Sequence, residues 1–157
     1  MTAFQGQFPP IGLKNSAQQL LGEHLLSSYP REACGILLGA AAAGGMRIDT
    51  YVPIRNVAPD PLHAFIPHPE DWVKTVYLEP APIGFFHSHP HSSPEPSFSD
   101  LAGLTALGPE FLVYLIGSPG QDSQHPSLNG YYIDRFRNVH GKLECRLVQA
   151  AVYALLK

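Results

Sequence analysis

The stretch Ile83-Gly84-Phe85-Phe86-His87-Ser88-His89-Pro90 narrows what this chain can fold into more than any other. Residues 83–86 are an apolar run of the kind that makes a buried strand. The histidines fall at its end, where strands hand over to loops and sites are usually built. Residues two apart on a strand point to the same face, roughly 6–7 Å apart along the backbone, so His87 and His89 can grip one metal ion. Seven residues separate His89 from Ser97 and two separate Ser97 from Asp100, which stands at the start of a segment, 98–107, that reads as a helix. Two imidazoles and a carboxylate with one position open are the ligand set of a catalytic rather than a structural zinc.

Each part of this pattern also has a plainer reading. A His-x-His on a strand arises from ordinary packing. Ser97 and Asp100 have the spacing of a capping box, with the carboxylate at the positive end of the helix dipole. It is the combination that points to a metal. His91 is left outside the ligand set, because a further ligand would close the position a water needs.

The rest of the chain supplies one domain, 1–157, with a core over about 15–148. A length of 157 residues with 45% hydrophobic content can bury a proper core without disulfides. The net charge of −3 and pI near 6.2 leave no electrostatic footprint for nucleic acid, and no basic run suggests a membrane surface. Cys34 and Cys145 make neither a disulfide framework nor a Cys-x-x-Cys site, which fits a reducing cytoplasm. No signal peptide is visible over residues 1–10, and no run reaches the length of a membrane span.

In order, the chain opens with an irregular Gly/Pro segment to Gly12. A helix over 15–28 follows, with Leu20, Leu21, Leu25 and Leu26 at helical spacing and Asn15 or Ser16 as its cap. Pro30 ends it. Glu32 then leads into an apolar strand through Gly39, with 46–54 as its hairpin partner after a small-residue turn. Beyond a proline-punctuated loop, 56–69, a second helix fits 69–78, with proline tolerated in the first turn. After the Asp100 helix come a central strand over 110–116, a loop over 117–129, and a hairpin of 130–137 with 142–148. The tail, 150–156, reads equally as strand or helix. The layout is a mixed sheet flanked by two or three helices.

Glu32, Cys34-Gly35, Leu37-Leu38-Gly39, His87-Ser88-His89-Pro90, Ser97 and Asp100 together resemble the JAMM signature of the JAB/MPN/Mov34 metalloprotease family. The resemblance extends over roughly residues 20–148, including the 56–65 loop. It implies an α/β fold of cytidine-deaminase-like type, a curved mixed sheet between helices, holding one zinc per chain on His87, His89 and Asp100. Glu32 corresponds to the family's general base and Ser97 to the residue that helps stabilise the oxyanion. Without the resemblance, Glu32 reads as a solvated residue paired with Arg31 or a lysine. The chain has no room after Asp100 for the insertions of eukaryotic relatives that cut ubiquitin chains, so it looks like the prokaryotic branch, whose members act on ubiquitin-like or sulfur-carrier proteins.

Three functions compete. The first is a zinc isopeptidase or peptidase cutting after the C-terminal glycine of a ubiquitin-like or sulfur-carrier protein with a Gly-Gly tail. The second is a non-catalytic MPN-type scaffold, although such members typically lack part of the motif and all five positions are present here. The third is a cupin-like metal oxygenase, for which Glu95 in a proline-rich loop is a poor further ligand. For an extended tail, strand 46–54 and the 56–65 loop are the expected pairing edge, and no deep apolar pocket is evident. The sequence leaves the oligomeric state open and allows a homodimer.

Overall fold

The computed structural model describes residues 8–120 and 126–156. In chain order its elements are β1 (Ile11–Lys14), α1 (Asn15–Ser28), β2 (Cys34–Ala42), β3 (Gly45–Ile54), α2 (Pro69–Thr75) and β4 (Pro82–Ser88). Then come α3 (Phe98–Gly103), a 3-10 turn at Leu104–Ala106, β5 (Val113–Ser118), β6 (Ser127–Arg137), β7 (Leu143–Ala150) and β8 (Val152–Leu155). The strands form one mixed sheet in the order β7-β6-β5-β4-β2-β3-β1-β8.

The histidine strand β4 lies in the interior of this sheet, antiparallel to β2 and parallel to β5. Apolar residues cover both of its faces, which is why these strands read as continuous apolar runs rather than alternating ones. Leu37, Phe86 and Leu115 enter the core beneath α1, whereas Ile36, Phe85 and Tyr114 enter the core on the opposite face. Helix α1 inserts Ala17, Leu21 and Leu25, one above the other at four-residue spacing. Leu20 and Leu26, also at helical spacing, lie on its flanks and are exposed.

Strand β7 and strand β8 sit at opposite ends of the sheet order yet are joined by Ala151 alone. Laid flat, eight strands would separate the outer two by roughly 34 Å, and one residue reaches about 3.6 Å at most. The sheet must therefore curl until its ends approach. Gly130 of β6 marks the approach, since a Cβ there would collide with the Val152 side chain. The curled mixed sheet with three helices is the architecture expected.

Local differences have identifiable causes. The opening segment is not irregular throughout: Ile11–Lys14 pairs in parallel with both β3 and β8, while residues 1–7 lie outside the described residues. Because β1 runs directly into α1, the cap position falls on Lys14 and carries no side-chain bond, so neither Asn15 nor Ser16 caps. Helix α2 stops at Thr75, and α3 is interrupted after Gly103, a poor helix residue, by the tighter 3-10 turn. The tail is strand, and the loop expected over 117–129 shrinks at both ends; residues 121–125 lie outside the described residues.

The expected pairing edge needs correction. β3 lies between β2 and β1, with Met46 to Ile48 opposite Ile11 to Leu13. Only its later half lacks a second strand, and there Pro53 has no N–H to offer one. The 56–65 loop is folded back on itself by the Asn56↔Pro67 bridge. Among the described residues, no helix is long and apolar enough to cross a membrane.

Candidate metal centre

Strand β4 delivers His87 and His89 from its end, and α3 delivers Asp100 from its first turn. Their ligand atoms all lie within 4.8 Å of one another, and all three residues are buried. His87 Nε2 is 3.0 Å from His89 Nε2 and 3.1 Å from Asp100 Oδ1, and His89 Nε2 is 3.0 Å from Asp100 Oδ2. His91 stays outside this cluster, exposed and edge-on to Tyr29.

The hydrogen bonds around the cluster decide what it can hold. His89 Nδ1 faces the Ser93 carbonyl at 2.9 Å. A carbonyl only accepts, so Nδ1 carries the hydrogen and the neutral ring presents a lone pair at Nε2. That lone pair faces a carboxylate oxygen and a second imidazole nitrogen, a convergence stable only with a proton or a cation between them. Tetrahedral zinc, with bonds of about 2.0–2.1 Å, sets its ligand atoms roughly 3.3 Å apart. The three residues therefore fit zinc in both chemistry and spacing. Tyr114, whose hydroxyl lies 3.0 Å from His87 Nδ1, is placed to orient that imidazole should it bind a metal.

Charge follows the same geometry. Burial pushes the Asp100 carboxyl up, but the bonds with His87 and His89 outweigh it and hold the group well below the usual carboxylate range. Burial also pulls both histidines down: it wins at fully buried His87, whereas at His89 the bonds to Asp100 and Ser93 produce a net rise.

Ser97 and Asp100 form the capping box. Ser97 N–H donates to Asp100 Oδ2 at 2.8 Å, and Asp100 N–H donates to Ser97 Oγ at 3.1 Å. The Pro90 to Pro96 connection is tied down from β6, where the Tyr131 hydroxyl and Asn129 Nδ2 donate to the Pro94 carbonyl at 3.1 and 3.2 Å.

Glu32 precedes β2 and is half-buried. Among the described residues its carboxylate forms no ion pair with Arg31 or a lysine. Its pKa is pushed up from 4.5 to about 7, first by burial and then, against the pull of His89, by the Asp100 charge. The next residue is stapled to the histidine strand: Ala33 N–H donates to Ser88 Oγ at 2.8 Å, and Ser88 N–H returns to the Ala33 carbonyl at 2.9 Å.

Glu32, His89, Ser97 and Asp100 line one cleft of about 890 Å³, whose remaining wall includes Phe65, Trp72, Val73 and Leu107. This apolar wall is the part that sequence reasoning missed. Asn56, Ser88, Ser93 and Tyr114 were missed as well, and of these only Asn56, a turn-forming residue at a strand end, gave any signal. A cupin is a double-sheet jelly roll; the helices of this fold, and the absence of a further glutamate or histidine from the cluster among the described residues, dispose of that reading.

Residues 14–129 match the family model described as prokaryotic homologs of the JAB domain. The chain is 38% identical over 94 residues to a desampylase from Haloferax volcanii, a match covering 57% of this chain and 64% of that protein. It is 33% identical over 83 residues to tail tip assembly protein K of Escherichia phage N15, covering 53% of this chain and 32% of that protein. The matched stretch thus spans less than two thirds of either relative. The solution structure of a protein from Desulfitobacterium hafniense aligns with a TM-score of 0.72 at 24% identity, over 94% of both chains. A JAB1/MPN domain protein from Archaeoglobus fulgidus aligns with a TM-score of 0.54 at 20% identity, over 90% of this chain and 97% of that one. The structural likenesses carry the fold, the family model covers most of the chain, and this protein belongs to the prokaryotic JAB-domain family.

Proposed function

We propose that the protein is a zinc-dependent isopeptidase or peptidase that hydrolyses the bond after the C-terminal glycine of a ubiquitin-like or sulfur-carrier protein. The observation that carries this reading is the shared cleft, in which a half-buried carboxylate, Glu32, accompanies His89, Asp100 and Ser97. His87, His89 and Asp100 would hold the metal. Zinc bound there supplies a Lewis acid that polarises a carbonyl and acidifies water to near neutrality.

The chain's own residues do the rest. Glu32, with its pKa raised to about 7, is matched to taking a proton from water at neutral pH and passing it to the leaving amine. Ser97 Oγ accepts from Asp100 N–H and keeps its own hydrogen free to donate to a developing oxyanion. Tyr114 orients His87. A glycine before the scissile bond lets the substrate backbone approach closely, and the likeness to a desampylase supports deconjugation as the reaction. Two unpaired cysteines agree with a cytoplasmic setting.

The test incubates zinc-loaded protein with Gly-Gly-tailed carriers bearing either a lysine-linked protein or a cysteine adduct, followed by mass. Cleavage of one adduct, lost in Glu32→Gln, is expected. Cleavage of neither, with Glu32→Gln behaving as the parent, would replace the peptidase with the non-catalytic scaffold.

A further inference from the structure

We infer that Asn56 is a positioning residue that locks the peptide of Glu32 to the loop forming the cleft wall, so that the carboxylate and Phe65 are set as one unit. This rests on the reading of Glu32 as the base. Asn56 is the second residue after β3, and its side-chain amide uses its full bonding capacity. Nδ2 donates to the Glu32 carbonyl at 2.9 Å and to the Ala64 carbonyl at 3.0 Å. Oδ1 accepts from Ala58 N–H and from Ile66 N–H, each at 3.0 Å.

These four partners belong to two places that nothing in the sequence brings together. One is Glu32, which lies outside any strand and needs other bonds to fix it. Its N–H donates to the Pro61 carbonyl of the same loop at 2.7 Å, so both sides of its peptide segment are held by the 56–66 region. The other is the loop itself, at Ala58 and at the pair Ala64 and Ile66, which brackets Phe65. The Phe65 ring lies over His87 with centroids 4.6 Å apart and over Phe85 at 5.4 Å. One amide thus spans from the candidate base to the ring that packs on a candidate ligand.

Asn56→Asp is the informative variant, because it keeps the shape and both acceptor positions but loses both donations and sets a carboxylate against two carbonyl oxygens. The rate on a Gly-Gly-tailed ubiquitin-like carrier with a fluorogenic amine leaving group is measured in the parent and Glu32→Gln backgrounds. In the parent background kcat/KM should fall on the order of 10²-fold, the scale of a roughly 1 Å misplacement, with zinc content unchanged. In the Glu32→Gln background the same change should cost less than about twofold, because residues acting through one another are not additive. Independently of activity, hydrogen exchange at the Glu32 amide should accelerate, while Ala58 and Ile66, whose acceptor the carboxylate keeps, stay protected together with Ser88 and His89.

Equal losses in both backgrounds, or a Glu32 amide as protected in Asn56→Asp as in the parent, would overturn the inference. If Glu32→Gln alone leaves the rate untouched, the base assignment falls, and the exchange result still decides whether Asn56 holds Glu32. Should Asn56→Asp fail to fold, Asn56→Ser, which adds no charge, takes its place in every arm.

Discussion

Replacing Glu32 by glutamine should make the zinc-free protein more stable at alkaline pH while making the zinc-loaded protein nearly inactive. The Glu32 carboxyl has its pKa pushed up from 4.5 to about 7, chiefly by burial. A raised carboxylate value means that the folded state holds the proton more tightly than the unfolded chain, so ionisation opposes folding. The penalty is absent below about pH 4.5, grows between about 4.5 and 7, and is complete above about 7. Taken at face value the rise corresponds to roughly 3.4 kcal/mol, at about 1.36 kcal/mol per pH unit. Glu32 is only half-buried, and solvent screening reduces this to about 1–2 kcal/mol. Glutamine carries no charge, so chelated Glu32→Gln should melt roughly 2–8 °C above the parent at pH 8 and together with it at pH 4. Scanning calorimetry at the two pH values measures this. With zinc restored, activity should drop on the order of 10²–10⁴-fold, the usual loss for a general base. A variant no more stable than the parent at pH 8 would refute the buried-charge reasoning, and one that cannot retain zinc would make Glu32 a ligand.

Purified protein should carry about one zinc per chain, and elemental analysis of a His87→Ala, His89→Ala double variant should find none; full zinc there removes the ligand assignment. Ser97→Ala should cost about 1 kcal/mol of stability through the lost cap. If the hydroxyl also serves the oxyanion, the rate should lose roughly 2.7–4 kcal/mol of transition-state stabilisation, and denaturation and kcat/KM on one preparation separate the two. Tyr114→Phe removes the hydroxyl 3.0 Å from His87 Nδ1. Its zinc affinity, read by competition with a chromophoric chelator, should fall about 10–100-fold, and an unchanged affinity would mean that the hydroxyl does not orient the ring.

What could be read from the sequence was whatever neighbouring residues decide. The bounds of α1 follow from leucine spacing and Pro30, and the central strand and the hairpin of β6 and β7 announce themselves by apolar runs and turn residues. Strand β1 could not be seen, because Ile11, Gly12 and Leu13 are a strand only by virtue of partners at Met46 to Ile48 and Val152 to Ala154. Misplacing the sheet edge at β3 has the same origin, since strand order is a property of the whole chain. The site divides in the same way. His87, His89, Ser97 and Asp100 sit close enough in sequence for spacing to associate them, whereas Glu32 could be associated with them only through the family resemblance. Asn56, Tyr114 and the wall of Phe65 and Trp72 act across long separations that leave no local pattern.

The helix-cap and metal-ligand readings of the Ser97 and Asp100 spacing are compatible, because one carboxylate can serve both. Asp100 Oδ2 accepts from Ser97 N–H at 2.8 Å and in the same position meets His89 Nε2 at 3.0 Å, while Oδ1 meets His87 Nε2 at 3.1 Å. The backbone bond that begins the helix therefore also fixes the rotation of the carboxylate proposed as the third ligand. A helix of six residues has little intrinsic stability, so its first turn depends on this box and on whatever the carboxylate binds. The His89 ring is fixed in turn by Ser93, in the connection that β6 ties down through Pro94. Each proposed ligand is thus oriented by a group outside the cluster: Tyr114 for His87, Ser93 for His89 and Ser97 for Asp100. Such outer bonds hold the ligand atoms together before a cation arrives, which lowers the ordering cost of binding it. The electrostatics agree to this extent: against burial, His87 and His89 hold the Asp100 carboxyl well below its usual range, so it is ionised at neutral pH, as a carboxylate must be to bind a cation.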